Sequence, residues 1–252
     1  MDAGKLNLLL LAGFAVAVSS GCLLLLSGPG YRFEWWGLRF AIRAFKLAAY
    51  GGLIGALICA LYLALGLTVA RLQSAWLVLC LLGMGAGIAS AWLPWQQLQL
   101  VKRLPMIHDI TTDTENPPAF HAVQALRKSS ANTTEYAGAA LAAQQQQAYP
   151  DIQPLQLTLP TDESFESALA AAAELNWEIV ASSPEAGRIE ATDTTFWFGY
   201  KDDIVIRITA LESGGTRIDV RSVSRVGQSD LGANAQRIRR FLAALDPARR
   251  KR

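Results

Sequence analysis

Residues 6–26, LNLLLLAGFAVAVSSGCLLLL, run 21 positions without one acidic or basic side chain. Two further runs match them: 45–70, FKLAAYGGLIGALICALYLALGLTVA, and 75–93, AWLVLCLLGMGAGIASAWL, with Lys46 the single charge, at one extreme end. Each is close to the roughly 20 apolar residues needed to cross a bilayer core. All but Asp2 and Glu34 of the 21 acidic residues lie beyond the third run. The sequence therefore predicts a three-helix transmembrane anchor over residues 1–103, with spans at about 6–26, 45–70 and 75–93, followed by a water-soluble half.

Composition agrees. A chain of 252 residues that is 52% hydrophobic is too apolar for one soluble domain. Its net charge of +2 averages two unlike halves. The first carries Lys5, Arg32, Arg39, Arg43, Lys46, Arg71, Lys102 and Arg103; the second is mildly acidic up to its basic tail, 247–252. No basic stripe with interleaved aromatics marks the soluble half, which argues against nucleic acid as a partner. Cys22, Cys59 and Cys80 all fall in the apolar runs and read as small hydrophobes. Ser20-Gly21-Cys22 suggests a lipoprotein cleavage site, but Leu23–Leu26 continue the run, so an uncleaved first span is expected.

Within the anchor, Gly51 and Gly55 of the second span and Gly83 and Gly87 of the third form small-xxx-small pairs that favour close helix packing. The absence of charge at depth argues against transport. Trp35, Trp36, Trp92 and Trp95 sit at span ends, as an aromatic belt places them. Arg39, Arg43 and Lys46 follow helical spacing in Tyr31–Lys46, which reads as a short interfacial helix from which the second span can start.

Residues 104–153 read as an extended, proline-punctuated motif followed by a polar, low-complexity linker. From 154 to 246 the order β-α-β-β-β-β-α predicts an α+β domain, an antiparallel sheet with its helices on one face. On that reading residues 148–252 fold alone. In the last hairpin, Ile204, Ile206 and Ile208 face the core with Ile218, Val220 and Ser222, so the loop has an odd length. Ser213-Gly214-Gly215 as that loop sets Arg207 opposite Arg221 on the outer face, with Asp219 diagonal and Asp203 facing Arg225.

Two candidate sites emerge. His108, Asp109, Thr111, Asp113 and Glu115 alternate like the start of a calcium loop, but Thr114 and Phe120 stand where its glycine and bidentate acid belong. A turn closed by Asp and Thr side chains is the simpler reading. No metal ligand set and no cofactor are expected. The second candidate is the outer face: Lys201, Asp202, Asp203, Arg207, Asp219, Arg221 and Arg225, with Trp197 in an apolar wall. It reads either as a solvated charge ladder or as a site for an anion or polar head group. Ser222 and Ser224 lack a neighbouring histidine, so serine hydrolysis is not expected.

Several blocks look familiar as a set. Ile107-His108-Asp109-Ile110-Thr111-Thr112-Asp113, Pro117-Pro118-Ala119-Phe120, Phe198-Gly199-Tyr200-Lys201-Asp202-Asp203, Arg221-Ser222-Val223-Ser224-Arg225 and Ser229-Asp230-Leu231-Gly232-Ala233-Asn234 resemble, in order, the family catalogued as domain of unknown function 1499. The resemblance implies bacterial relatives and assigns no activity or catalytic residue. Some relatives carry the domain behind a secretory signal, which implies the periplasmic side. Charge opposes it, because Arg32, Arg39, Arg43 and Lys46 in the first connection favour the cytoplasm for that connection and for the soluble half. The reading taken is a multi-pass protein of the bacterial inner membrane with a periplasmic domain. Its leading function is a non-catalytic envelope module that binds a partner protein, a lipid head group or another anion. The alternative is a hydrolase-type enzyme using His108, Asp109, Asp113 or Asp202.

Overall fold

The structure, a computed structural model, describes residues 3–68 and 73–246. The chain divides into two compact units, one of residues 1–100 with 196–199, the other of 101–195 with 200–252.

The first unit consists of α1 (Ala3–Arg32), α2 (Leu38–Thr68) and most of α3 (Ser74–Arg103). All three are long and apolar enough to cross a membrane. They are longer than the apolar runs alone suggest, and the second span does begin within the connection: α2 starts at Leu38 and continues unbroken through Arg39, Arg43 and Lys46, so that stretch is the first part of the span rather than a helix of its own. Leu8, Leu25, Leu57, Leu67 and Leu82 point outward on these helices, far more apolar surface than water tolerates.

Small residues hold the helices together. Ala41, Ala44, Ala48, Gly52, Gly55, Ala56 and Cys59 form a buried stripe along α2. A side chain on Gly52 would strike the Gly87 carbonyl, one on Gly87 the Gly52 carbonyl, and one on Gly55 the backbone of Ala17. The backbones approach where lipid provides no hydrophobic drive between helices, so packing itself must hold them. Gly51 and Gly55 both face α1, at Ser20 and Ala17, as the expected pair would.

Gly28-Pro29-Gly30 near the end of α1 shows the same economy. Pro29 has no N–H, which leaves the Leu25 carbonyl without its helical donor. The Trp197 indole donates to it at 3.3 Å, and Gly28 leaves room for that ring. Trp36 donates to the Ser27 carbonyl at 3.3 Å and lies against Gly30.

The second unit is the α+β domain. Its sheet runs β1 (Asp109–Thr111), β6 (Thr216–Ser224), β5 (Lys201–Ala210), β4 (Arg188–Thr194), β3 (Glu178–Ser183), all antiparallel. Strand β2 (Leu155–Leu157) pairs with the other end of β6. Helices α5 (Thr161–Glu174) and α6 (Ala233–Leu245) cover one face, where Phe165, Ala168, Ile238, Phe241 and Leu242 meet Ile189, Ile204, Ile206, Ile218 and Val220. Trp177 stacks on Phe241 at 5.3 Å in the same core.

Two expectations change here. Residues 104–153 are part of the domain rather than a linker before it. They supply β1, a 3-10 turn at Val123–Arg127 and α4 (Ala139–Ala148), and Ile107, Ile110, Leu141, Tyr149 and Ile152 join the core. The β5–β6 loop also sits one residue earlier than expected. Leu211 and Gly215 pair through their backbones, with Gly214 and Gly215 both at positive φ. The isoleucines keep their face, but Arg207 now lies opposite Asp219 and Val205 opposite Arg221. Opposite charges therefore meet where two arginines were expected.

A fragment spanning 104–246 is expected to unfold in one cooperative transition in urea. One starting at residue 148 lacks β1 and the core side chains of Ile107, Ile110 and Leu141 and is expected to give a broad, non-cooperative melt.

Candidate functional site

Period-two alternation places Glu190, Thr192, Asp203, Val205, Arg207, Arg217, Asp219, Arg221 and Val223 together on the sheet face away from the helices. This face is covered, not solvated. The segment 112–134 crosses it, and Phe120 and Val123 pack on Val205 and Val223. Beneath and beside that cover the charged residues pair with one another. Arg221 chelates Asp109 through Nε and Nη2 at 2.9 and 2.7 Å, with Asp109 4% and Arg221 3% exposed. Its guanidinium also lies over the rings of Phe120 and Tyr136, at 5.3 and 5.4 Å. Arg225 chelates Asp203 at 2.9 and 2.8 Å, while Arg127 and Thr192 donate to the same carboxylate at 2.5 and 2.7 Å. Arg207 and Arg217 share Asp113 and Asp219, with all four contacts between 2.8 and 2.9 Å.

Glu190 has a different task. Its two carboxylate oxygens accept the backbone N–H groups of His121 and Val123, at 2.9 and 3.0 Å. These donors open the 3-10 turn and have no partner within it, so the carboxylate serves as their cap. The covering segment is fixed in register by this bond and by Arg221, which donates to the carbonyls of Pro118 and Thr134.

The electrostatics follow from burial and partners. Burial pushes the Asp203 carboxyl up, but hydrogen bonds from Arg225, Thr192 and Arg127 outweigh it and leave the group below its ordinary range. Burial, reinforced by Asp109 and opposed by Arg221, pushes the Tyr136 phenol up to about 12. The hydrogen bond to Asp219 is the main reason the Arg217 guanidinium holds its proton more tightly than usual.

A second polar cluster lies under α6. Asn234, fully buried, accepts from Ser222 and donates to the His108 carbonyl and to Ser224. Arg237 joins Asp202 at 2.7 Å and Asp193 at 2.8 Å. Asp230 accepts the N–H groups of Gly232 and Asn234 at the start of the helix, and burial raises its pKa despite those bonds.

The predicted site residues are thus distributed. Asp109, Asp203, Asp219, Arg207, Arg221 and Arg225 do share one face, though as mutually neutralised pairs. Lys201 stays exposed at the start of β5. Trp197 belongs to the helical unit, where it meets Phe45 and the Leu25 carbonyl. Asp202 points to the opposite face, toward Arg237. Asp113 closes the expected turn, its Oδ1 accepting from Glu115 and Asn116 at 3.1 and 2.9 Å. No group of three His, Cys, Asp or Glu side chains among the described residues is placed to hold a metal ion. His108 alone of the histidine–aspartate set keeps an open outlook. Its Nδ1 is 3.4 Å from the Gln228 carbonyl, and it lines a cleft of about 470 Å³ with Met106, Asn132, Thr133, Glu135 and Gln144.

Sequence reasoning missed Arg217, Arg127, Glu190 and Gln145. Arg217 had a signal: 217, 219 and 221 alternate onto one face. Arg127 and Gln145 lie in stretches with no period. Gln145 is 1% exposed, donating to the Thr111 carbonyl and accepting its N–H, as a neighbouring strand would.

A family model described as a protein of unknown function (DUF1499) matches residues 109–245, from β1 to the end of α6. No curated protein matches the chain.

Replacing Arg221 by Gln strands Asp109 among buried groups and is expected to cost about 3–5 kcal/mol in urea unfolding. Arg239→Gln, which breaks a half-exposed pair with Asp151, is expected to cost less than about 1 kcal/mol.

Proposed function

Because the chain belongs to the DUF1499 family, whose description names no activity, we propose its function from geometry: a membrane-anchored, non-catalytic module that binds a ligand or partner segment in the His108 cleft. The observation that carries this reading is the pairing of Asp109, Asp113 and Asp202 with arginines. A carboxylate whose oxygens are taken up by guanidinium N–H groups has few lone pairs left for a substrate, which suits it to fixing structure. The network instead holds the cleft rigid. Asp109 anchors the 106–109 side through Arg221, and Asn132 anchors the other by donating to the carbonyls of Ser224 and Gly227 at 3.1 and 2.8 Å.

One observation favours the hydrolase reading as a runner-up. His108 and Glu135 line the same cleft, and Glu135 makes no ion pair among the described residues. The two readings part in one experiment. The full chain is purified in mild detergent, co-purifying small molecules are identified by mass spectrometry, and His108→Ala and Gln144→Ala are compared. A binding module is expected to bring down a compound that Gln144→Ala loses. Turnover of model esters or phosphoesters by the wild type, abolished in His108→Ala with the fold intact, would replace it with the enzyme.

For location we propose the periplasmic face of a bacterial inner membrane. What supports it is the placement implied by the family resemblance; the cations of the first connection speak for the cytoplasm. With three crossings, the soluble unit and the first connection share a side. A periplasm-active reporter fused after Arg252 or within Tyr31–Lys46 is therefore expected to be active at both positions. Activity of a cytoplasm-only reporter at both would reverse the orientation and leave the binding reading untouched.

A further inference from the structure

Eight arginines of the soluble unit form ion pairs with acids; among the described residues no cation of the helical unit does. Arg32 ends α1, and Arg39, Arg43 and Lys46 follow at steps of four and three residues along α2. Such steps put side chains on one stripe of a helix. All four cations are exposed, and among the described residues none takes part in an ion pair. Glu34 is the one acid between Tyr31 and Lys46, and it too is exposed and in no ion pair among the described residues.

Large rings surround this unbalanced charge. Phe33 and Trp35 are each 62% exposed, Phe40 50%, and Phe196, which belongs to the same unit, 90%. Arg32 donates to the Phe196 carbonyl and lies 5.9 Å from the centre of its ring. In water this combination is unfavourable on both counts: apolar rings are bare and like charges crowd. At the boundary between head groups and acyl chains both problems disappear. The rings settle at the head-group level, and long cationic side chains reach phosphate while their stems stay in hydrocarbon. Leu47 and Tyr50, exposed on the next turns of α2, continue the surface into the apolar zone.

We propose that Arg32, Arg39, Arg43 and Lys46, flanked by Phe33 and Trp35, form a docking patch for anionic phospholipid head groups. The proposal rests on the helices crossing a bilayer and is independent of the cleft. Its chemistry is charge complementarity to a phosphodiester. An arginine fork binds two phosphate oxygens at once, a geometry that a zwitterionic lipid also offers. The preference for an anionic lipid comes from the excess of charge, four cations against the single carboxylate of Glu34, which is in no ion pair among the described residues.

The test uses the full chain reconstituted in vesicles of equal parts phosphatidylglycerol and phosphatidylethanolamine, then released for native mass spectrometry, where retained lipids are counted. Phosphatidylglycerol is expected to be enriched on the wild type. A cation near an anionic surface is worth about fivefold, so Arg39→Gln/Arg43→Gln/Lys46→Gln is expected to reduce the enrichment by about tenfold or more. Lys102→Gln/Arg103→Gln, which leaves the patch intact, and the charge-keeping Arg39→Lys/Arg43→Lys are expected to retain it. Should the triple variant fail to fold, the single Arg43→Gln reads the same effect as about a fivefold loss. A wild type that retains both lipids equally, or a triple variant that keeps its enrichment, would overturn the proposal.

Discussion

The guanidinium of Arg221 is where three distant stretches of the chain converge. It belongs to β6, chelates Asp109 of β1, and donates to the Pro118 and Thr134 carbonyls on either side of the covering segment. The ion pair adds a side-chain clamp to the three residues of backbone pairing that seat β1 at the sheet edge. The carbonyl contacts tie down the cover over Val205 and Val223 together with Phe120, Val123 and the Glu190 carboxylate. A lone buried arginine would be untenable in such a place. It is stable there because a carboxylate, two carbonyls and two aromatic faces together replace its hydration.

The two units meet the demands of different solvents by opposite means. In the helical unit side chains are removed where elements meet, so that Gly52 and Gly87 bring backbones into contact. In the soluble unit charged side chains are added beneath the cover and matched with opposite charges, some of them shared between two arginines. The treatment of a single orphan carbonyl shows the membrane logic at its smallest. Pro29 frees the oxygen of Leu25, and an indole N–H fills the vacancy.

What could be read from the sequence was what depends on period and length. The spans follow from runs of apolar residues, and the sheet faces follow from alternation, so Ile204, Ile206 and Ile208 could be placed against Ile218 and Val220 with only the loop position off by one residue. The covering segment could not be read this way. Its backbone donors are met by side chains far away in sequence, as when Glu190 caps the turn 67 residues before it. Its few apolar anchors, Phe120 and Val123, are too sparse to show a period. Polar composition therefore looked like a linker, and the arginine face below it looked solvated.

A face built from apolar residues would hold the cover at least as strongly, since buried ion pairs seldom outperform well-packed hydrocarbon. What an apolar face would lack is direction. Phe120 and Val123 would find comparable contacts after a slip of one or two residues along the sheet, whereas the Glu190 carboxylate fits just one pair of backbone donors and Arg221 one pair of carbonyls. The charged network therefore acts on position. It fixes where 131–135 runs beside 106–109, and that placement decides whether His108, Glu135 and Gln144 face a common space at all. The hydrophobic core under α5 and α6 supplies the stability that such a network forgoes, so the two faces of one sheet divide the work of holding the fold and shaping the cleft.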